Sequence, residues 1–259
     1  MRRISVASVL LPAMLLLPCS CIKENRGDCP CCLILELGEV DNHSAPSLTV
    51  DLTGATDFHL IEEISDYSFE RVFEVPRGKL FVNVFHIADG DVFSPDRGFV
   101  VDEGRDYPEL WLHNSVLNTS VDVRRDTVRL HKSYSRLDMH ILSDGRPVDF
   151  DLGVDGKVCG YSLDGKPEDG VFRVSLRPDG NGDCQLCVPR QKDSSLSLSI
   201  VDDGDVLRRF ALGEYIVRSG FDWTRADLED IDVTIDFSRT TVNFRICNWE
   251  TSYSFEIEI

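Results

Sequence analysis

Residues 231–259 read IDVTIDFSRTTVNFRICNWETSYSFEIEI. Three runs of alternation stand in this stretch. Ile231, Val233, Ile235 and Phe237 are separated by Asp232, Thr234 and Asp236. Val242, Phe244 and Ile246 are separated by Asn243 and Arg245, and Tyr253, Phe255, Ile257 and Ile259 by Ser254, Glu256 and Glu258. A period of two puts the apolar side chains on one face of a pleated strand and the polar ones on the other. Each run therefore reads as a strand with one face on a core and one in water.

The same habit runs back along the chain. Leu196, Leu198 and Ile200 alternate with serines, and Leu137, Met139 and Ile141 with Asp138 and His140. Stretches 33–37, 47–52, 67–75, 79–87 and 118–123 read as further strands. Turn signals separate them: Pro76-Arg77-Gly78, Asp89-Gly90-Asp91, Asp144-Gly145, Asp155-Gly156, Asp164-Gly165 and Asp179-Gly180. Many short strands joined by such turns predict an all-β protein built of β-sandwiches, not of parallel α/β units. One helix-like stretch, 222–230, has Asp222 placed as N-cap and Leu228 as its inward residue. The best boundary lies near Arg124-Arg125-Asp126, dividing the chain into sandwich domains at 33–125 and 126–259.

The first twenty residues do not belong to the fold. Arg2 and Arg3 precede an apolar run from Ile4 to Leu17, a charged start and hydrophobic stretch typical of a secretory signal. The run is shorter than the roughly 20 apolar residues a spanning helix needs. Leu17-Pro18-Cys19-Ser20-Cys21 follows, and small Ser20 before Cys21 suits cleavage between them. This segment resembles a bacterial lipobox, which implies a lipid on the Cys21 thiol, a tether over 21–32 and localisation at a membrane through acyl chains. Lys23 and Glu24 resemble the short surface-export signal of Bacteroidetes lipoproteins and imply the cell surface.

Loss of residues 1–20 removes two arginines and no acid, taking the formal charge from −18 to −20. Such a chain is not expected to bind nucleic acid, whose phosphates would repel it.

No residue set stands out for catalysis or for a cofactor. The six histidines, His43, His59, His86, His113, His131 and His140, form no H-E-x-x-H, and no G-x-S-x-G occurs. An enzyme is not expected, and neither is a cofactor. Cys29, Cys31, Cys32, Cys159, Cys184, Cys187 and Cys247 are an odd number beyond the lipobox, so their pairing stays open. Cys184 and Cys187 have C-x-x-C spacing, but the spacing of a zinc ribbon is absent, and no metal is expected. Asp179-Gly-Asn181-Gly-Asp183 opens like a calcium loop, yet Cys184 stands where an EF-hand needs glycine and Arg190 where it needs glutamate. It reads as a turn. Trp111, Trp223 and Trp249 are the aromatics that could line a glycan platform; each also suits a sandwich core or edge.

Taken in order, Cys21-Ile22-Lys23-Glu24, Asp28-Cys29-Pro30, YPELWL at 107–112, Leu212 to Ile216, Gly220 to Trp223, Asp227 to Val233 and Asn248-Trp249 resemble the fimbrial anchor and minor-subunit lipoproteins of Bacteroidales, the FimB type. The resemblance spans the chain and is densest in its last fifty residues. Cys31-Cys32, Cys184, Cys187 and Pro18 depart from it. It implies two transthyretin-like β-sandwiches, Greek-key and mostly antiparallel, and an outer-membrane lipoprotein that anchors a fimbria and limits its length. The implied partners are fimbrial stalk subunits, joined by β-strand addition. The terminal strand through Tyr253, Phe255, Ile257 and Ile259 is then the candidate subunit contact; it can equally complete its own sheet. The alternative function is a surface glycan-binding lipoprotein using its loop aromatics.

Overall fold

The computed structural model describes residues 29–258, apart from 41–44, 55–56, 66, 68–69, 89–91, 143–147, 237–240 and 248–251. In chain order its strands are β1 (Cys31–Glu36), β2 (Leu48–Gly54), β3 (His59–Ile64), β4 (Arg71–Val75), β5 (Lys79–Ile87), β6 (Phe93–Ser94), β7 (Gly98–Val100), β8 (Leu110–Asn118), β9 (Val123–Thr127) and β10 (His131–Lys132). These are followed by β11 (Tyr134–Leu142), β12 (Asp151–Tyr161), β13 (Pro167–Leu176), β14 (Asp183–Pro189), β15 (Ser197–Asp202), β16 (Asp205–Phe210), helix α1 (Leu212–Arg218), β17 (Ile231–Asp236), β18 (Thr241–Cys247) and β19 (Ser252–Glu258). No described helix is long and apolar enough to cross a membrane.

The chain is all-β and forms two sandwiches of one connectivity. In the first, sheet β4-β1-β9 faces sheet β10-β8-β5-β2-β3. Leu33 and Leu35 of β1, Leu48, Val50 and Leu52 of β2, and Leu80, Val82 and Val84 of β5 share one buried core between them. In the second, sheet β14-β11-β17-β18-β19 faces β16-β15-β12-β7-β6, with β13 also on β12. Its core gathers Leu137, Met139 and Ile141 of β11, Leu152 and Val154 of β12, Leu198 of β15, and Ile231, Val233 and Ile235 of β17. Burial of each such side chain contributes about 1.5–3 kcal/mol.

The repeated order is plain from the pairings. The opening strand of each sandwich, β1 or β11, pairs antiparallel with β4 or β14 and parallel with β9 or β17. The second strand, β2 or β12, lies between β3 and β5 or between β13 and β15. Only the second copy adds a hairpin, β18–β19, beyond the parallel strand.

The two cores are joined through the outer face of the β5–β8 pair. Phe85, Leu110 and Leu112 point away from the first core and belong to the second. Phe85, Phe93 and Phe99 cluster there with ring centroids 4.8–5.0 Å apart. Strands β6 and β7 precede residue 126 in the chain but hydrogen-bond into the second sandwich. Gly160 of β12 makes that crossing possible: at φ +155°, a Cβ there would lie 1.8 Å from the Phe99 carbonyl oxygen. Beside the aromatic cluster, Asn114 donates to Asn83 Oδ1 at 2.6 Å and to the Leu163 carbonyl at 2.7 Å. Asn83 in turn donates at 3.1 Å to the fully buried Asp51, which also receives His59 Nε2–H at 2.8 Å.

Several local expectations are corrected. Asp155-Gly156 is not a turn but lies inside β12, where register shifts around Gly156 and Gly160 mark irregular pairing. Stretch 118–123 is mostly a bend; the strand is β9, shifted to 123–127. Thr119 holds the bend by donating to Pro76 O at 2.6 Å. β1 begins at Cys31, two residues inside the expected tether, because the Cys31 side chain is fully buried and extends the inward alternation.

The single described helix is 212–218, not 222–230. Leu212 and Ile216 bury one face of α1, and Gly213 sits against the Ser194 backbone, where a Cβ would lie 2.5 Å from Ser194 O. In 222–228 the carbonyls of Trp223, Arg225 and Ala226 turn to the Arg190 guanidinium instead of to backbone donors four residues on. A helix cannot form when its acceptors are taken this way.

Candidate interaction site

Strand edges are where such a protein can meet another, because an edge leaves a row of backbone donors and acceptors unpaired. The edges here are treated differently. β14 is capped at Cys187: its N–H donates to the Asp106 carboxylate at 2.9 Å, and its carbonyl accepts Tyr107 N–H at 3.4 Å. Burial raises the Asp106 carboxyl above the ordinary range, against the backbone donors that lower it. β8 is paired by β10 at Trp111 and Leu112. β16 is exposed, carries Arg208 and Arg209, and has a register shift at Ile200/Val201. β9 carries Arg124 and Arg125, the latter bound to Glu36 and Glu70 at 2.8 Å each.

β3, β4 and β19 also end their sheets, in unbroken register and without proline or lysine, and β19 is the one at the C-terminal end of the chain's strand order. It pairs with β18 in unbroken register from Thr241↔Glu258 to Cys247↔Ser252, and among the described residues no strand lies on its other side. It has neither proline nor lysine and no bulge, the devices that usually blunt an edge. Tyr253 is 40 % exposed. Phe255 and Ile257 lie on the strand; Ile259 falls outside the described residues, as do Ser20, Cys21 and Trp249.

Elsewhere among the described residues, several titratable groups are held in structural bonds. Ser115, His113 and Asp126 meet, but in the wrong order for nucleophile activation. Ser115 Oγ donates to Asp126 at 2.5 Å, and His113 Nε2 lies 3.1 Å from the same oxygen. His113 Nδ1 accepts Arg129 N–H at 3.2 Å, so the imidazole has no free nitrogen to activate the hydroxyl. Burial raises the Asp126 pKa, but the bonds from His113 and Ser115 outweigh it and the net shift is downward. His140 pairs with Asp183 across β11 and β14, above a shallow groove of about 610 Å³ that also takes in Asp138 and Asp232. Asp179 receives Asn181 N–H at 2.8 Å and Asp183 N–H at 2.9 Å, bonds that lower its pKa and make it a turn-forming group. Among the described residues no three metal-binding side chains converge. Cys184 and Cys187 are three apart on one strand, so they face opposite sides and cannot share an ion or a bond.

The tryptophans differ from one another. Trp223 is buried edge-on to Phe221, ring centroids 4.6 Å apart. Trp111 is half-buried against Tyr134, centroids 6.4 Å apart.

No family model matches the sequence, and no curated protein matches it. Solved structures do. The fimbrial anchor protein Mfa2 of Porphyromonas gingivalis superposes with a TM-score of 0.58 at 12 % identity, covering 89 % of this chain and 99 % of that one. A candidate polysaccharide-binding protein of Bacteroides thetaiotaomicron gives 0.59 at 13 %, covering 87 % and 98 %. A candidate adhesin of the same species gives 0.54 at 14 %, covering 89 % and 99 %. Over nearly its whole length, then, this chain has the fold of a fimbrial anchor protein, a candidate polysaccharide-binding protein and a candidate adhesin.

Proposed function

We propose that this protein is an outer-membrane lipoprotein of the cell surface that anchors a fimbria, limits its length and joins fimbrial subunits by β-strand addition. The observation that carries the reading is β19: a regular strand at the end of a five-stranded sheet, unpaired on its far side among the described residues. An added strand satisfies the open donors and acceptors, and its alternate side chains supply specificity. The fold shared with Mfa2 supports the choice of a fimbrial partner. Cys21 supplies the lipid, and the seven residues between it and Cys29 let the two lie at most roughly 28 Å apart, a short leash for a surface protein.

The test is Cys21→Ala in the native bacterium, with the membrane fraction and the filaments followed together. The protein should leave the membrane, and filaments should be shed or overlong. Filaments that stay attached at normal length while the protein comes free would overturn the anchoring role.

A further inference from the structure

We propose that β1 is a mechanical clamp, holding tension in shear between the N-terminal tether and the second sandwich. Its biological sense rests on the anchoring reading; its geometry does not.

β1 lies in the middle of its sheet. Five residue pairs join it to β4, from Cys31↔Val75 to Leu35↔Arg71, and five to β9, from Cys32↔Val123 to Glu36↔Thr127. β9 is parallel to β1, and its C-terminal end leads through Val128 into β10, beside Trp111 and Leu112. Leu112 belongs to the second core. The C-terminal end of β9 therefore leads into the second sandwich, and Cys29 lies at the opposite end of β1.

A load between residue 29 and Arg129, on the segment that leads into the second sandwich, thus runs along the axis of β1. In that direction the backbone bonds to β4 and β9 are strained together. A pull across the sheet would open them one after another. The inward side chains add to the resistance, since Cys31, Leu33 and Leu35 are all 0 % exposed and would have to slide through the core.

The loaded end is also fastened. Cys32 N–H donates to Asp122 O at 2.9 Å. Arg77 donates from Nε to Cys29 O at 2.8 Å and from Nη2 to the Asp122 carboxylate at 2.5 Å. One arginine so ties Cys29, two residues before the strand, to the bend that precedes β9.

The far end has the same character. β19 is antiparallel to β18, β18 to β17, and β17 is parallel to β11. β19 therefore runs in the direction of β11, away from the first sandwich, and a partner strand on it would also be pulled along the strand axis.

The experiment is optical-tweezers pulling on the unlipidated mature chain carrying Cys21→Ala, one handle at its N-terminus. The second handle is placed either at Arg129, beyond the C-terminal end of β9, or at Ser120, before its N-terminal end. Both residues are exposed. The Arg129 handle loads β1 against β9 in shear; the Ser120 handle peels the same pair apart. At one loading rate the Arg129 geometry should rupture at about twice the force or more, forced unfolding being governed by the barrier to be crossed. Equal forces, or a lower force for Arg129, would overturn the clamp. Urea midpoints of the two handle variants show that both are folded before loading. The clamp and the anchoring role are separable: a force difference in a protein whose Cys21→Ala change leaves filaments attached keeps the clamp and loses the anchor, and equal forces with filaments shed do the reverse.

Discussion

Arg190 Nε donates to Tyr161 Oη at 2.9 Å, and the same guanidinium gathers the carbonyls of Trp223, Arg225 and Ala226. Burial raises the Tyr161 pKa, against the lowering effect of Arg190, so the phenol stays a neutral acceptor. One side chain thus fixes the loop that a helix would otherwise claim. Arg190→Ala should cost about 3 kcal/mol in urea unfolding, the scale of losing bonds to a charged donor. Arg190→Lys should recover little, because an ammonium lacks the planar fork. The emission of buried Trp223 reports on the loop directly. A stability loss below about 0.5 kcal/mol would mean the loop is held elsewhere.

Gly160→Ala should be among the most damaging single changes. The added methyl meets the Phe99 backbone oxygen, and neither β7 nor β12 can move without opening the aromatic cluster between the sandwiches. A cost of about 3 kcal/mol or more is expected from the thermal midpoint at constant pH. Gly180→Ala, where a Cβ meets nothing within 4 Å, is the control and should be close to neutral.

Asn83→Leu should loosen the two sandwiches from each other as well as weaken the first. It removes a donor from buried Asp51 and the acceptor of Asn114. An unsatisfied buried acceptor costs about 1–3 kcal/mol. Calorimetry should turn one unfolding transition into two if the polar bridge couples the halves.

Asp126 should make stability fall in acid. Its folded pKa lies below the ordinary 3.8, so its contribution is present above that value and is lost as pH falls through the lower folded one. The stability gap between wild type and Asp126→Asn should be level from neutrality down to about pH 5 and shrink below about pH 4. A gap that does not change with pH would mean the carboxylate is unperturbed.

Thiol labelling of the folded protein should be ordered. Cys29 is exposed, whereas burial pushes the Cys184 thiol up to about 11 and Cys187 up to about 12. Thiolates do the reacting. Mass spectrometry after brief alkylation should find Cys29 modified first and Cys187 last.

The strands legible in the sequence are those with one face in a core. β17 buries Ile231, Val233 and Ile235 and turns Asp232 outward, as its alternation requires. β9 and β16 have no such face: VRRDT and DVLRRF lie at sheet edges, largely exposed, so their composition carries no period to read. β12 was hidden by its own glycines, which serve irregular pairing and close approach rather than a turn. The helix could not be placed because Arg190 lies more than thirty residues from the carbonyls it captures. For the candidate contact strand, alternation reads 253–259 as β, but only the sheet order puts β19 at an edge among the described residues.

The shared use of β5 and β8 by both cores sets an order of events during biosynthesis. When the first sandwich has emerged, Phe85, Leu110 and Leu112 face outward with Phe93 and Phe99 made but most of the second core still missing. The core they belong to includes Leu152 and Val154 of β12 and Phe172 of β13, which follow later in the chain. A half-made chain therefore displays an aromatic, aliphatic surface of the kind that aggregates, and it does so in the envelope if the N-terminus directs export as its sequence implies. Maturation of this protein should depend on a holdase for that interval, and a truncation after β10 should precipitate even though its own first core is complete.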